Sequence, residues 1–285
     1  MSDITGIVTV SSLTAKTPEQ GDSILIADKY KTSPEELEGY FQNWRPDIGR
    51  NLQTVLGTSD AVSTFAALRT RADAGNFNGL RLADYIDVPS ITIDGTSIAN
   101  ANERLRFEIA GFDTYYNIGD TPVSSHHILM LSKNCVLQHV MNSTDDNTGG
   151  YAASELCTYL NGSVTTGLVS AIGVTPKTVR RLLDNKSLWS WAAETVFIPT
   201  EVEVFGCCAW SNNSGNSVGS SMQWPLFAQF PQKRIAKYNN SRYWWWEASP
   251  RTENSTSFCD CSNNGNAYSH LASYSDFGVR FAFLV

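Results

Sequence analysis

The stretch YWWWEASPRTENSTSFCDC, residues 243–261, decides how this chain is read. Three tryptophans, Trp244, Trp245 and Trp246, run straight into small polar residues. In a strand, successive side chains point to opposite faces, so Trp244 and Trp246 share one face and Trp245 takes the other. Three adjacent indoles are all covered only where structure lies over both faces of the sheet. The expectation is a rigid frame of buried tryptophans, with the polar residues after them as a readable surface.

Working outward from this seam, SFCDC-SNNG-NAYSHL reads as a β-hairpin: strand 255–261, turn Ser262 to Gly265, strand 266–272. Alternation puts Tyr268 and His270 on one face, away from Ala267, Ser269 and Leu271. GVRFAFLV, 278–285, reads as one apolar strand. Upstream, SNNSGNSVGSSMQW (211–224) is too polar for a core and reads as a long ordered loop. ETVFIPTEVEVFG (194–206) reads as a strand interrupted by Pro199. GGYAASELCTYLNG (149–162) carries a helix with Ala152, Leu156, Tyr159 and Leu160 on one face. A second helix, 164–172, ends at Gly173. Between Leu82 and Ser132 the pattern is β: Ile91 and Ile93 alternate, as do Leu105, Phe107 and Ile109, and HHILMLS (126–132) is a compact apolar run.

Residues 1–80 differ from the rest. Ser33-Pro34-Glu35-Glu36 is a capping-box helix start, and that helix runs to Trp44 before Pro46. Another helix spans Asp60 to Ala74, with Val62, Phe65 and Ala66 on one face and Gly75 past its end. The expected organisation is a small, mainly helical segment, 1–80, for assembly or attachment, followed by a main domain, 81–285.

The 285 residues are 42% hydrophobic but only 17% charged. The polar surface therefore comes from Ser, Thr, Asn and Gly, as on secreted and virion proteins and binding loops. The net charge of −7 and the lack of a Lys/Arg cluster exclude sequence-independent nucleic-acid binding, which needs a basic footprint. The N-terminus shows no basic stretch followed by an apolar one, so neither a signal peptide nor membrane insertion is expected. The six cysteines fall in no zinc or redox spacing and read as free thiols. No hydrolase, phosphate-loop or dinucleotide motif is present. The four histidines lack ligand spacing, and Leu156 stands where an EF-hand starting at Asp145 needs glutamate. The residues predict no enzyme, no cofactor and no metal.

In order, GGYAASELCTYLNG, VFIPTEVEVFG, a polar loop, YWWWEASP, a polar hairpin and GVRFAFLV resemble the C-type-lectin-like domains of phage tail and gut-bacterial surface proteins. The likeness covers roughly residues 85–285. Trp246 and Glu247 stand where such domains usually carry Leu-Arg, and Phe281 stands where they usually carry Pro. The resemblance implies an α+β, C-type-lectin-like fold: small mixed or antiparallel sheets, two helices and long irregular loops. The same layout is similar to the variable proteins of diversity-generating retroelements, in which template adenines are mutated into the gene's 3′ end. The resemblance implies that region 239–276 is diversified by that process; an ordinary polar lectin loop is the alternative.

What the resemblance implies is a phage or prophage receptor-binding protein at the tail tip. A bacterial cell-surface adhesin is the alternative, and a formylglycine-generating type of enzyme a third reading. The expected location is the virion tail, or alternatively the bacterial surface. The implied partners are a bacterial surface receptor, protein or glycan, and other virion or tail proteins, with a homotrimer or other homo-oligomer supplying avidity. The implied ligand-binding residues are Asn240, Arg242, Glu247, Arg251, Glu253, Asn254, Ser257, Phe258, Asp260, Tyr268, His270, Tyr274 and Asp276.

Overall fold

The computed structural model describes residues 47–215 and 222–285. The chain divides into two compact units, Met1–Phe41 and Gln42–Val285. The described residues all belong to the second, and the helix expected from Ser33 lies outside them. The boundary expected at 80/81 is therefore corrected. Residues after position 46 join the main unit because their apolar side chains pack into its core, with the Phe65 ring 5.9 Å from that of Phe283.

Helix α1 (Leu52–Leu56) is capped by the Asn51 side chain, and α2 (Ala61–Asp73) opens with a reciprocal Asp60–Ser63 capping box. The buried side of α2 is Ala61, Thr64, Phe65, Leu68 and Ala72. Val62 and Ala66, expected beside Phe65, face outward, because the i, i+3, i+4, i+7 stripe runs from Ala61.

The fold is mixed α+β, with few helices and several small sheets. The strands are β1 (Tyr85–Asp87), β2 (Ser90–Ile93), β3 (Thr96–Ala99), β4 (Arg106–Phe112), β5 (Ile128–Ser132), β6 (Leu137–Gln138), β7 (Val179–Asp184) and β8 (Trp189–Glu194). They continue as β9 (Val196–Phe197), β10 (Ala236–Tyr238), β11 (Ser241–Tyr243), β12 (Trp245–Pro250), β13 (Ser257–Cys261), β14 (Ala267–Leu271), β15 (Gly278–Val279) and β16 (Ala282–Leu284). One five-stranded sheet has the order β1-β4-β5-β16-β9, and the other β14-β13-β12-β15-β6. Three two-stranded pairs, β2-β3, β7-β8 and β10-β11, complete it.

Two apolar clusters lie on opposite faces of these sheets. Along β5, Ile128 and Met130 enter one cluster while Leu129 and Leu131 enter the other. A strand covered on both sides has no polar face, which is why the 126–132 run does not alternate. The tryptophan triplet divides as expected: Trp246 is buried in the first cluster with Trp244 packed against it, and Trp245 is buried in the second. Both buried indoles keep a partner for Nε1, the Arg234 carbonyl for Trp245 and the His139 carbonyl for Trp246, each at 2.9 Å.

Four expectations are corrected. The two helices expected between 149 and 172 form one helical run: α3 (Glu155–Tyr159), a π-turn (Leu160–Val164) and α4 (Thr165–Ile172), ending on left-handed Gly173. Ala152 sits exposed in a preceding 3₁₀ turn (Tyr151–Ala153) rather than on the helix. After Pro199 the chain is helical, not extended, because Thr200 and Glu203 form a capping box at the start of α5 (Glu201–Phe205). Finally, 278–285 is two strands in two sheets. Arg280 stands between them, buried, donating to the carbonyls of Ser132 (2.7 Å) and Lys233 (2.6 Å).

A buried charge network fixes the β7–β8 pair. Arg181 on β7 meets Glu194 on β8 and Glu203 on α5, both at 2.7 Å. Glu203 also accepts from the Tyr115 hydroxyl (2.6 Å), and the two carboxylates hold the guanidinium firmly charged against the cost of burial.

Candidate functional site

Strand β14 forms one edge of the second sheet and pairs antiparallel with β13, Asp260 opposite Tyr268 and Phe258 opposite His270. Its outward aromatic side chains are the centre of a continuous patch. Trp244 meets Tyr268 at 5.4 Å and His270 at 4.9 Å, and Tyr268 and His270 are 5.0 Å apart. Tyr274 lies 5.5 Å from His270, and Trp210 extends the patch to 6.1 Å from Tyr268. Tyr268 and Tyr274 are about half exposed, at 47% and 49%. The patch stands on a buried base in which Phe277 stacks on Trp246 at 4.2 Å. Tyrosines held by a packed base offer large contact area at little entropic cost.

At its flank, the Arg251 guanidinium lies 4.7 Å over the Trp210 ring, donates to Ser269 Oγ (3.2 Å) and pairs with exposed Glu253 (3.2 Å). That covering arm buries Ser269 although it sits on an edge strand.

Beneath the rings, Asp260 Oδ2 lies 2.8 Å from His270 Nδ1. Asp260 is fully buried and its Oδ1 has no partner. Burial raises its pKa to about 6, against the lowering effect of His270. On the other face of the strands, Glu247 is buried with both carboxyl oxygens unpartnered. Burial, then the nearby Glu201 and Asp260 carboxylates, push its pKa well above the usual range. Burial likewise pushes the Cys259 thiol far up, the opposite of what a reactive thiolate needs.

The expected ligand residues separate. Tyr268, His270 and Tyr274 come together in the patch, with Arg251 and Glu253 at its flank. Asp276 is exposed beside Phe277 in sequence. Asn254 is half-buried and turned to its own loop, its Oδ1 accepting from the N–H groups of Thr256 (3.2 Å) and Ser257 (3.0 Å). Asn240 and Arg242 are exposed on the β10–β11 hairpin. Four positions are corrected: Glu247, Ser257, Phe258 and Asp260 are buried. Every residue of β12 and β13 is buried, because other parts of the chain cover both faces of these strands. Trp210 and the partial exposure of Trp244 escaped the sequence reading. Trp210 arrives from a distant loop that β-alternation does not register.

Among the described residues, no group of three or more His, Cys, Asp or Glu side chains is arranged to hold a metal ion. Nor is any helix among them long and apolar enough to cross a membrane.

No curated protein and no solved structure matches the chain. A family model described as "Domain of unknown function (DUF6273)" matches residues 125–285, more than half of the chain, from the residues just before β5 through β16. The tryptophan seam, the patch and all five strands of the second sheet fall inside that match, and the chain belongs to the DUF6273 family.

Proposed function

We propose that this protein is a ligand-binding protein of C-type-lectin-like fold, acting as a receptor-binding protein at a phage or prophage tail tip. Its partner is a bacterial surface receptor. The observation that carries the reading is the continuous aromatic patch of Trp210, Trp244, Tyr268, His270 and Tyr274, rigid at its base and half exposed at its two tyrosines. Exposed aromatic clusters on an otherwise Ser/Asn-rich surface are what binding surfaces are made of. The order of sequence motifs supports the lectin-like frame. The buried, protonated thiols Cys259 and Cys261 favour binding over thiol chemistry. Within 239–276, diversification acts on the exposed positions around the patch.

The direct test replaces Tyr268 and Tyr274 with Ser together, leaving the His270–Asp260 pair intact. Adsorption to host cells weakens by about tenfold or more while the fold is retained, because truncating two central tyrosines removes hot-spot contacts. Unchanged adsorption refutes the surface. Diversification is tested separately in the flanking DNA, where a near-copy of the 3′ coding end must differ only at template adenines.

A further inference from the structure

The loop from Arg251 to Ser257 flanks the aromatic patch, and the rest of the fold grips it by its backbone. Lys186 lies in the turn between β7 and β8 in a left-handed conformation (φ 74°). Its Nζ donates to three carbonyls of the loop: Arg251 (2.7 Å), Thr252 (2.9 Å) and Asn254 (3.0 Å). Asn147 reaches the same loop from the other side. Its Nδ2 donates to the carbonyls of Ser257 (2.7 Å) and Asn254 (3.0 Å), and its own N–H donates to that of Ser255 (2.8 Å).

Glu201 does the converse for the neighbouring loop. Its carboxylate accepts from the N–H groups of Trp210 (3.0 Å) and Ser211 (2.9 Å) and from Ser211 Oγ (2.6 Å). The two loops are joined by Thr252 N–H donating to the Trp210 carbonyl (2.9 Å). An ammonium with three N–H donors satisfies three converging carbonyls that an irregular loop otherwise leaves bare. Its charge strengthens each bond.

In the 251–257 loop these contacts all end on main-chain atoms. They do not depend on which side chains stand at Thr252, Glu253 and Ser255, all three exposed. Asn254 and Arg251 are different, since their side chains hold the turn and cover Ser269. We infer that Lys186, Asn147 and Glu201 form a main-chain clamp, and that Thr252, Glu253 and Ser255 are the replaceable, specificity-determining positions beside the patch. The use made of the loop rests on the ligand-binding reading above, but the clamp is read out by stability alone.

The test uses the full chain. A small library at Thr252, Glu253 and Ser255, including Tyr, Asp and Arg at each, keeps Tm within about 2 °C of wild type. Lys186→Met, similar in size but without the charge, lowers Tm by about 5 °C or more and speeds proteolytic cleavage within 251–257. Library members that lose 5 °C overturn the inference, as does a Lys186→Met protein as stable as wild type. If Lys186→Met does not fold, the clamp's importance is met and the library decides the rest. Should the library stay stable while the Tyr268/Tyr274 variant still adsorbs, the clamp stands and the receptor surface falls.

Discussion

Replacing Asp260 with Asn removes a pH dependence that the wild-type fold carries. Asp260 is fully buried, with one oxygen on His270 and the other without a partner. Its pKa rises from 3.8 to about 6, through burial first and the Glu201 carboxylate in addition, with His270 opposing both. A carboxyl whose folded pKa exceeds its unfolded value stabilises the fold most below the unfolded pKa. That contribution is lost as pH rises through the folded value. A shift of about 2 units at 1.36 kcal/mol each corresponds to about 3 kcal/mol between roughly pH 4 and pH 8. Asn keeps the shape and a hydrogen bond to His270 but cannot ionise. Urea unfolding of both proteins across that window therefore shows the difference in stability moving by about 3 kcal/mol in favour of Asp260→Asn as pH rises. A difference that stays constant within about 0.5 kcal/mol, the ordinary scale of a neutral surface change, refutes the assignment of a buried, raised Asp260.

Two further substitutions probe the frame. Arg181→Met leaves Glu194 and Glu203 buried without their cation and costs about 3–5 kcal/mol in chemical denaturation; a cost below about 1 kcal/mol contradicts the buried network. Gly150→Ala places a Cβ 2.1 Å from the Asp184 carbonyl oxygen on a residue with φ 64°, so it lowers Tm by several degrees, whereas the open Gly162→Ala does not; equal Tm values for the two contradict that close approach.

Much of the frame was legible from local patterns. The 257–271 hairpin, the burial of Trp245 and Trp246 on opposite faces and the shared face of Tyr268 and His270 all follow from two-residue alternation, which the backbone enforces. The α5 start was equally readable, because Thr200 and Glu203 form the capping pattern, but Pro199 and the β-branched run drew attention to a strand. What alternation cannot supply is which strand faces the rest of the chain covers. Asp260 and Glu253 are both acidic residues in a polar stretch, yet one sits on a strand covered on both faces and the other on an exposed loop. Exposure depends on that placement. The clamp was invisible for the same reason: Lys186 and Asn147 lie far from the loop in sequence, and the groups they bind are carbonyls, which every residue has.

The placement of β16 has a kinetic consequence. It fills the slot between β5 and β9, with Ala282 opposite Leu131 and Phe197. Pairing of β4 with β5 alone therefore leaves an apolar strand edge bare until a segment from far along the chain closes it. Ordering that encounter requires closing a long loop before any of its contacts form, which places folding in the slow, millisecond-to-second class of β-rich topologies. Until the slot fills, the exposed edge of β5 is open to any other extended chain in solution, so refolding yield depends on dilution.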